Sequence, residues 1–269
     1  MKGWVKGIIA GVIIAVIGVV VLIIGLSLNG WKYAYSLPDF ETGTYYEKKE
    51  NTDFQVEINA GRIRAEFYNG NKIRIDYPYA EEYEPTIAEE SGTLIFKTPE
   101  IKWHKFNRFG SCIAEQFPLT RIYIPQNNAC NLQIKVNAGT VEFVGSGTCG
   151  NVEVKLNAGT LKIGPLICDD FDCQVNAGTV NIAGLQCKVL KSEVNAGTCK
   201  IQDVVCGDIT TKVSAGSLKL TVDAKKSEYS IIVDKKAGSC NVSGQIGTAS
   251  KILRVYISAG SANVTFTGD

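Results

Sequence analysis

Apolar and polar residues alternate strictly through much of the chain. Leu132-Ile134-Val136, Val152-Val154-Leu156, Phe171-Cys173-Val175 and Leu253-Val255-Ile257 each share one face of an extended segment, because successive side chains of a strand point to opposite sides. A four-residue motif follows each of them. NAGT begins at Asn137, Asn157, Asn176 and Asn195, spaced 20, 19 and 19 residues apart, and continues as SAGS at Ser214, KAGS at Lys236 and SAGS at Ser258, at spacings of 19, 22 and 22. An earlier outlier, NAGR, begins at Asn59 after FQVEI. Past the motif the alternation resumes, with Val141-Phe143, Leu161-Ile163, Val180-Ile182, Cys199-Ile201 and Leu218-Leu220 turned the same way. Each repeat is thus expected to be a strand, a tight turn, a second strand and a short return segment.

A unit of about 19 residues cannot bury its own apolar face, so the units must stack, each strand pairing in parallel with its copy about 4.8 Å away. The expected fold class is all-β, a parallel β-helix or β-solenoid. Glycine supplies the backbone angles of the corner. The corner residues Asn137, Asn157, Asn176 and Asn195 are expected to exchange amide hydrogen bonds along the axis, a structural ladder and not a site.

A different pattern occupies the N-terminus. Residues 7–28 carry no charge, and 22 residues of helix at about 1.5 Å each span about 33 Å, enough for one crossing of a hydrocarbon core of about 30 Å. Lys2 and Lys6 precede this segment, which favours a cytoplasmic N-terminus and places residues 29–269 outside the cytoplasm. The expected organisation is a membrane anchor over residues 1–28, a stalk over 29–50, irregular first coils over 51–125 and regular repeats over 126–269. That makes the cell membrane the expected location and the bilayer the first partner, through residues 7–28. Oligomeric state is not fixed, although Gly7, Gly11 and Ala15 form a small-residue stripe able to pair helices.

Charge and chemistry narrow the function. The 269 residues have a formal net charge of +1, which gives no whole-chain basis for nucleic-acid binding. The charge is uneven: residues 1–37 carry three basic groups and no acid, residues 38–100 seven against fourteen, and residues 101–269 eighteen against thirteen. One histidine, His104, argues against a His-ligated metal or a His-based relay. No phosphate loop, nucleophile elbow or dinucleotide fingerprint occurs, so neither cofactor nor metal is expected.

Cys130, Cys149, Cys168, Cys187 and Cys206 are spaced 19 residues apart without exception, which puts one at the same station of five coils. They are expected to be buried thiols acting as small hydrophobes, with Cys173, Cys199 and Cys240 also inward and Cys112 outside the pattern. A thiolate metal stripe lacks the CxxC pairs that tetrahedral sites use. Disulfides between coils are sterically accessible, but an odd count of nine cysteines fits an oxidised framework poorly.

Two outward columns and one loop are the candidates for chemistry or contact. Gln133, Glu153, Asp172, Lys191 and Thr210 form one column, in which Glu153 and Asp172 are the acid pair that a glycosidase reading would need, while Lys135, Lys155 and Lys191 make surface salt-bridging the simpler account. Glu142, Lys162, Asn181, Lys200 and Lys219 form a second, basic column suited to anionic polymers. In IKWHKFNRFGSC, residues 101–112, aromatic Trp103, Phe106 and Phe109 alternate with Lys105 and Arg108. This mixture suits a binding surface, though a cap over the first coil is the simpler role.

Taken together, the single N-terminal apolar span, FQVEINAGRIRAEF, SGTLIFKT, RIYIP and the NAGTVEF-type repeats resemble the bacterial putative adhesin family, a β-strand-repeat domain of unknown function, over residues 40–269. The resemblance implies a right-handed parallel β-helix at the bacterial cell surface, linked to adhesion or envelope stress. The expected function is therefore non-catalytic binding or adhesion, with envelope polymer, a host surface or a membrane protein as partner. Its rivals are envelope-stress sensing through a membrane partner and, further off, a carbohydrate-active β-helix enzyme.

Overall fold

The computed structural model describes residues 41–46, 53–80, 83–100, 118–127, 130–245 and 249–269. Residues 7–28 and the loop carrying Trp103, Lys105, Phe106, Arg108, Phe109 and Cys112 lie outside them. Among the described residues no helix is long and apolar enough to cross a membrane, and the one helical piece is a 3₁₀ turn at Lys226–Glu228.

The central coils wind as the period requires. Strands β8 (Leu132–Val136), β11 (Val152–Leu156) and β14 (Asp170–Val175) pair in parallel and in register, Leu132 beside Val152 beside Phe171. The run continues onto the second half of β15 (Thr179–Val194) and then of β16 (Thr198–Val213). A second stack follows the corner: β9 (Thr140–Val144), β12 (Thr160–Ile163), the first half of β15, the first half of β16 and β17 (Ser217–Val222). The return segments form a third, in which β10 (Gly147–Thr148) meets β13 (Leu166–Ile167) and β13 meets β15. Alternation turns Val141, Leu156, Leu161, Val175, Val180 and Ile201 fully inward. Each such side chain contributes about 1.5–3 kcal/mol on burial.

Both ends depart from sequential stacking. At the C-terminal end, β18 (Tyr229–Lys235) does not follow β16 along the axis; β20 (Lys251–Ile257) lies between them, paired in parallel with both. Likewise β21 (Ser261–Phe266) lies between β17 and β19 (Ser239–Cys240). The chain leaves a gap one coil wide and fills it on its return. At the other end β2 (Asp53–Ile58) sits between β6 (Thr93–Lys97) and β8, and β3 (Arg62–Tyr68) between β7 (Leu119–Pro125) and β9. The motifs that run Ser214, Lys236, Ser258 in sequence are ordered Ser214, Ser258, Lys236 along the axis: Ser258 donates its backbone N–H to Val213 at 2.9 Å, and Lys236 donates to Ile257 at 2.9 Å.

Antiparallel strands close the N-terminal end. β4 (Arg74–Tyr79) pairs with β7 and with β1 (Glu41–Tyr46), so part of the expected stalk is strand. β5 (Thr86–Glu90) and β6 form a hairpin whose turn, Ser91-Gly92, has φ of 51° and 83°, the two positive angles of a type I′ connection. At the opposite end β18 is an edge strand. A single antiparallel bridge from Ile231 to Gln245 covers part of it. Exposed Asp234, Lys235 and Lys236 discourage further pairing there.

Candidate functional site: files of side chains along the coils

Stacking converts each repeated residue into a file. At the corner Asn137 donates its amide to Asn59 at 2.6 Å, Asn157 to Asn137 at 2.7 Å, Asn176 to Asn157 at 2.7 Å and Asn195 to Asn176 at 2.9 Å. Ser214 closes one end by donating to Asn195, and Thr98 the other, its carbonyl accepting from Asn59. The expected ladder is therefore longer than its four asparagines. Asn59, from the outlying NAGR, is a full member across 78 residues of sequence. Beside it, a Cβ on Gly159 would lie 2.2 Å from the Gly139 carbonyl oxygen, at a φ of +112°. The corner thus excludes side chains by space as well as by backbone angle.

The acidic column follows register: Gln55, Gln133, Glu153, Asp172, Lys191, Thr210 and Arg254 are successive partners. An open groove of about 630 Å³ crosses this face, lined among others by Asp53, Gln133, Glu153, Asp172 and Lys191. Burial raises the Asp172 carboxyl above its usual range, with Glu153 and Glu193 adding to the effect and Lys191 and Lys155 opposing it. Glu153 is ion-paired to Lys155. Two carboxylates in unlike surroundings are the arrangement general acid catalysis uses, yet each carboxylate here has its own lysine neighbour.

Two residues further along the same strand run lies Glu57, one of the few buried polar residues. It bridges Lys135 at 3.1 Å and Lys97 at 3.4 Å, one from each neighbouring coil. Burial pushes its carboxyl up, but the two lysines outweigh that and hold it below the usual range. Only the displaced position of β2, between β6 and β8, gives it both partners.

The second stack carries the basic column. Register sets Arg121, Arg64, Glu142, Lys162, Asn181, Lys200, Lys219 and Asn263 side by side, and six steps of about 4.8 Å carry it about 29 Å from Arg121 to Lys219. None of its five cations forms an ion pair or side-chain hydrogen bond among the described residues. Arg64 faces Arg121 and Lys200 faces Lys219 directly, juxtapositions that cost stability unless an anion intervenes. Beside this file, on the same outward face, Thr140, Thr160, Thr179 and Thr198 form a file of hydroxyls, also without side-chain partners among the described residues. Arg64 and Arg121 with Glu66 and Tyr123 edge a recess of about 130 Å³. Sequence reasoning found Lys162, Lys200 and Lys219 but missed Arg64 and Arg121, because the repeat that carries them is out of order.

The cysteine column is inward. Cys130, Cys149, Cys168, Cys187 and Cys206 are 4–8% exposed, and Cys173 and Cys199 fully buried. Cys240 is also turned inward, packed against the core but only half-buried, since it lies in the outermost coil. Burial first, then its neighbours Cys168 and Cys130, push the Cys149 thiol up to about 12. Among the described residues no group of three or more His, Cys, Asp or Glu is arranged to hold a metal ion.

Residues 50–267 match the family model Toastrack DUF4097. The chain belongs to that family. Solved structures similar to this Toastrack chain include a putative adhesin from Parabacteroides merdae (12% identity, 84% of this chain and 96% of that one, TM-score 0.47) and a putative adhesin from Bacteroides fragilis (12%, 85% and 98%, 0.46). A third is a putative cell adhesion protein from Clostridium sporogenes (13%, 84% and 100%, 0.37). No curated protein matches it.

Proposed function

We propose that this Toastrack protein is a non-catalytic binding protein of the cell surface, held by residues 7–28 with its N-terminus cytoplasmic, and that its ligand is an extended anionic polymer lying along the basic face. The winding is taken as right-handed, in keeping with the general hand of parallel crossovers. The observation that carries the reading is the double file of hydroxyls and unpaired cations, which offers charge-assisted hydrogen bonds at a regular interval to a chain of repeating oxyanions. The Trp103–Phe109 segment is a second contact element in this proposal, supported by its composition alone.

The test is binding of fluorescent linear polyphosphate as salt is varied. Changing Lys162, Lys200 and Lys219 together to Gln should weaken binding at least tenfold and flatten the log–log salt dependence by roughly two units, the counterions no longer released. Equal affinity and slope in the variant would remove the basic face as the site.

The enzyme reading rests on the raised Asp172 beside Glu153 in the groove. Cleavage of a polysaccharide by the wild-type chain, abolished in Asp172→Asn and Glu153→Gln, would establish it and displace the binding proposal.

A further inference from the structure

Two register partners of the cysteine column have their sulfurs in direct contact. Cys187 and Cys206 are register partners on β15 and β16, in a paired run that holds Leu185 beside Val204, Gln186 beside Val205 and Val189 beside Asp208. Their sulfurs stand 3.2 Å apart, with the Cys187 thiol donating to Cys206. Adjacent strands place such Cα atoms about 4.8 Å apart, inside the window of about 4.4–6.8 Å that a disulfide accepts. Most of the required approach has already been made by the fold.

The two thiols are also unlike each other. The hydrogen bond from Cys187 favours the thiolate at Cys206 and lowers its pKa, with backbone N–H groups of Leu190 and Gly207 helping, while burial and Asp208 oppose it. Cys187 is pushed strongly upward, by its hydrogen bonds to Cys168 and Cys206 and then by burial. Cys206 accepts the Cys187 hydrogen bond while its own thiol donates to the Asp208 carbonyl at 3.3 Å and the Lys188 carbonyl at 3.5 Å. The geometry thus sets the Cys206 sulfur as the one that attacks and Cys187, its donor, as the resolving thiol. Cys206 ends the column: after β17 the chain brings Tyr229 over it, and the Tyr229 hydroxyl donates to the Cys206 carbonyl. Both residues are buried, 8% and 4% exposed like the rest of the column. A small disulfide reaches them in brief local openings of the coil, and it is the contact of the two sulfurs, not exposure, that sets the pair apart.

We propose that Cys187 and Cys206 are an oxidation site that takes a small disulfide as co-substrate and closes into a disulfide tying two central coils together. The Cys206 thiolate attacks one sulfur of the small disulfide, forming a mixed disulfide and expelling one thiolate. Cys187, giving up its proton to that departing thiolate, then attacks the Cys206 sulfur and expels the second, which takes a proton from water. Two protein thiols are oxidised and one small disulfide is reduced to two thiols. Since the sulfurs are aligned only in the wound state, the link forms in the folded chain and retards its unwinding.

The test treats the full-length folded chain with oxidised glutathione, followed by alkylation, digestion and peptide mass mapping. The expected result is a peptide pair joined through Cys187 and Cys206, with Cys130, Cys149, Cys173 and Cys199 alkylated only after denaturation. The oxidised chain should also unfold at least several-fold more slowly in denaturant, and the reductant-treated chain should lose that gain. In Cys187→Ala, glutathione should remain attached to Cys206, because nothing resolves the mixed disulfide. A predominant Cys168–Cys187 link, glutathione persisting on wild-type Cys206, or no oxidation of the folded chain would each overturn the assignment.

Discussion

The middle of this solenoid and its two ends obey different rules of neighbourhood. Between β8 and β16 the strand beside any residue is the one 19 or 20 positions away, and the repeat period alone names it. At the ends Asn137 sits on Asn59 across 78 residues, and Thr210 pairs with Arg254 across 44. The difference teaches that a repeat motif fixes the station of a residue within a coil but not the order of the coils. A coil left with a free edge pairs with whatever strand of matching alternation reaches it, and connectors at both ends are long enough to pass over one coil.

The largest effect should come from removing the coil that fills the C-terminal gap. Ending the chain at Gln245 strips out Leu253, Val255, Ile257, Ala262 and Val264, all at most 3% exposed, at roughly 10 kcal/mol for the set by area. It also leaves β18 without its main partner. Limited proteolysis should then cut within Tyr229–Lys235, where a solenoid stacked in sequence would lose only its outermost coil and keep β18 protected.

Corner substitutions compare the regions on a smaller scale. Gly159→Ala in the middle puts a methyl against the Gly139 carbonyl and should cost about 3 kcal/mol or more. At Gly92 the angle is also positive but nothing lies within 4 Å of the added carbon, so Gly92→Ala should cost about 1 kcal/mol. Chemical denaturation of both variants measures the ratio, and equal costs would mean that conformation, and not the stacked backbone, dictates glycine at the corner.

Ladder ends should be more sensitive than ladder middles. The Thr98 hydroxyl accepts the Asn59 backbone N–H at 2.8 Å in a buried setting, and Thr98→Val should cost about 1–3 kcal/mol, the price of an unpaired buried donor. Asn176 is exposed and water can replace its partners, so Asn176→Ala should cost about 1 kcal/mol or less. Melting curves of the two variants give the order.

The smallest effect is a pH dependence specific to the N-terminal end. Because the Glu57 carboxyl is held below its unfolded value, its contribution is fully present above the unfolded pKa and is lost as pH falls through the lower, folded one. Glu57→Gln should therefore be less stable than wild type near neutral pH, with the two converging under acid. Asp172, raised in the fold, has the opposite sign and adds stability as pH falls. Parallel acid-unfolding profiles for Glu57→Gln and wild type would show that the bridge from β6 to β8 is absent.

Much of the fold was legible from alternation and period: the inward Leu132-Ile134-Val136 set, the NAGT corners, the asparagine ladder and the stations of the cysteines all follow from local sequence. Coil order was not, because pairing between distant segments depends on which edges remain free, a property of the assembled chain. One sign was present. The spacing changes from 19 to 22 where the C-terminal coils leave sequence order. The basic file was half legible for the same reason, Lys162, Lys200 and Lys219 belonging to the sequential coils and Arg64 and Arg121 to the displaced ones. Buried Glu57 gave no signal, since its partners are neighbours only through the displacement.

Coil order also decides which side chains form one binding face, so it is the claim to test first. Pairs of cysteines introduced at outward register positions, with the cross-linked peptides mapped after mild oxidation, read it directly. Thr210→Cys with Arg254→Cys should link efficiently, as should Arg254→Cys with Ile232→Cys, while Thr210→Cys with Ile232→Cys should not, because β20 stands between β16 and β18. Efficient linking of positions 210 and 232, with none between 210 and 254, would contradict the account and restore a solenoid stacked in the order of its sequence.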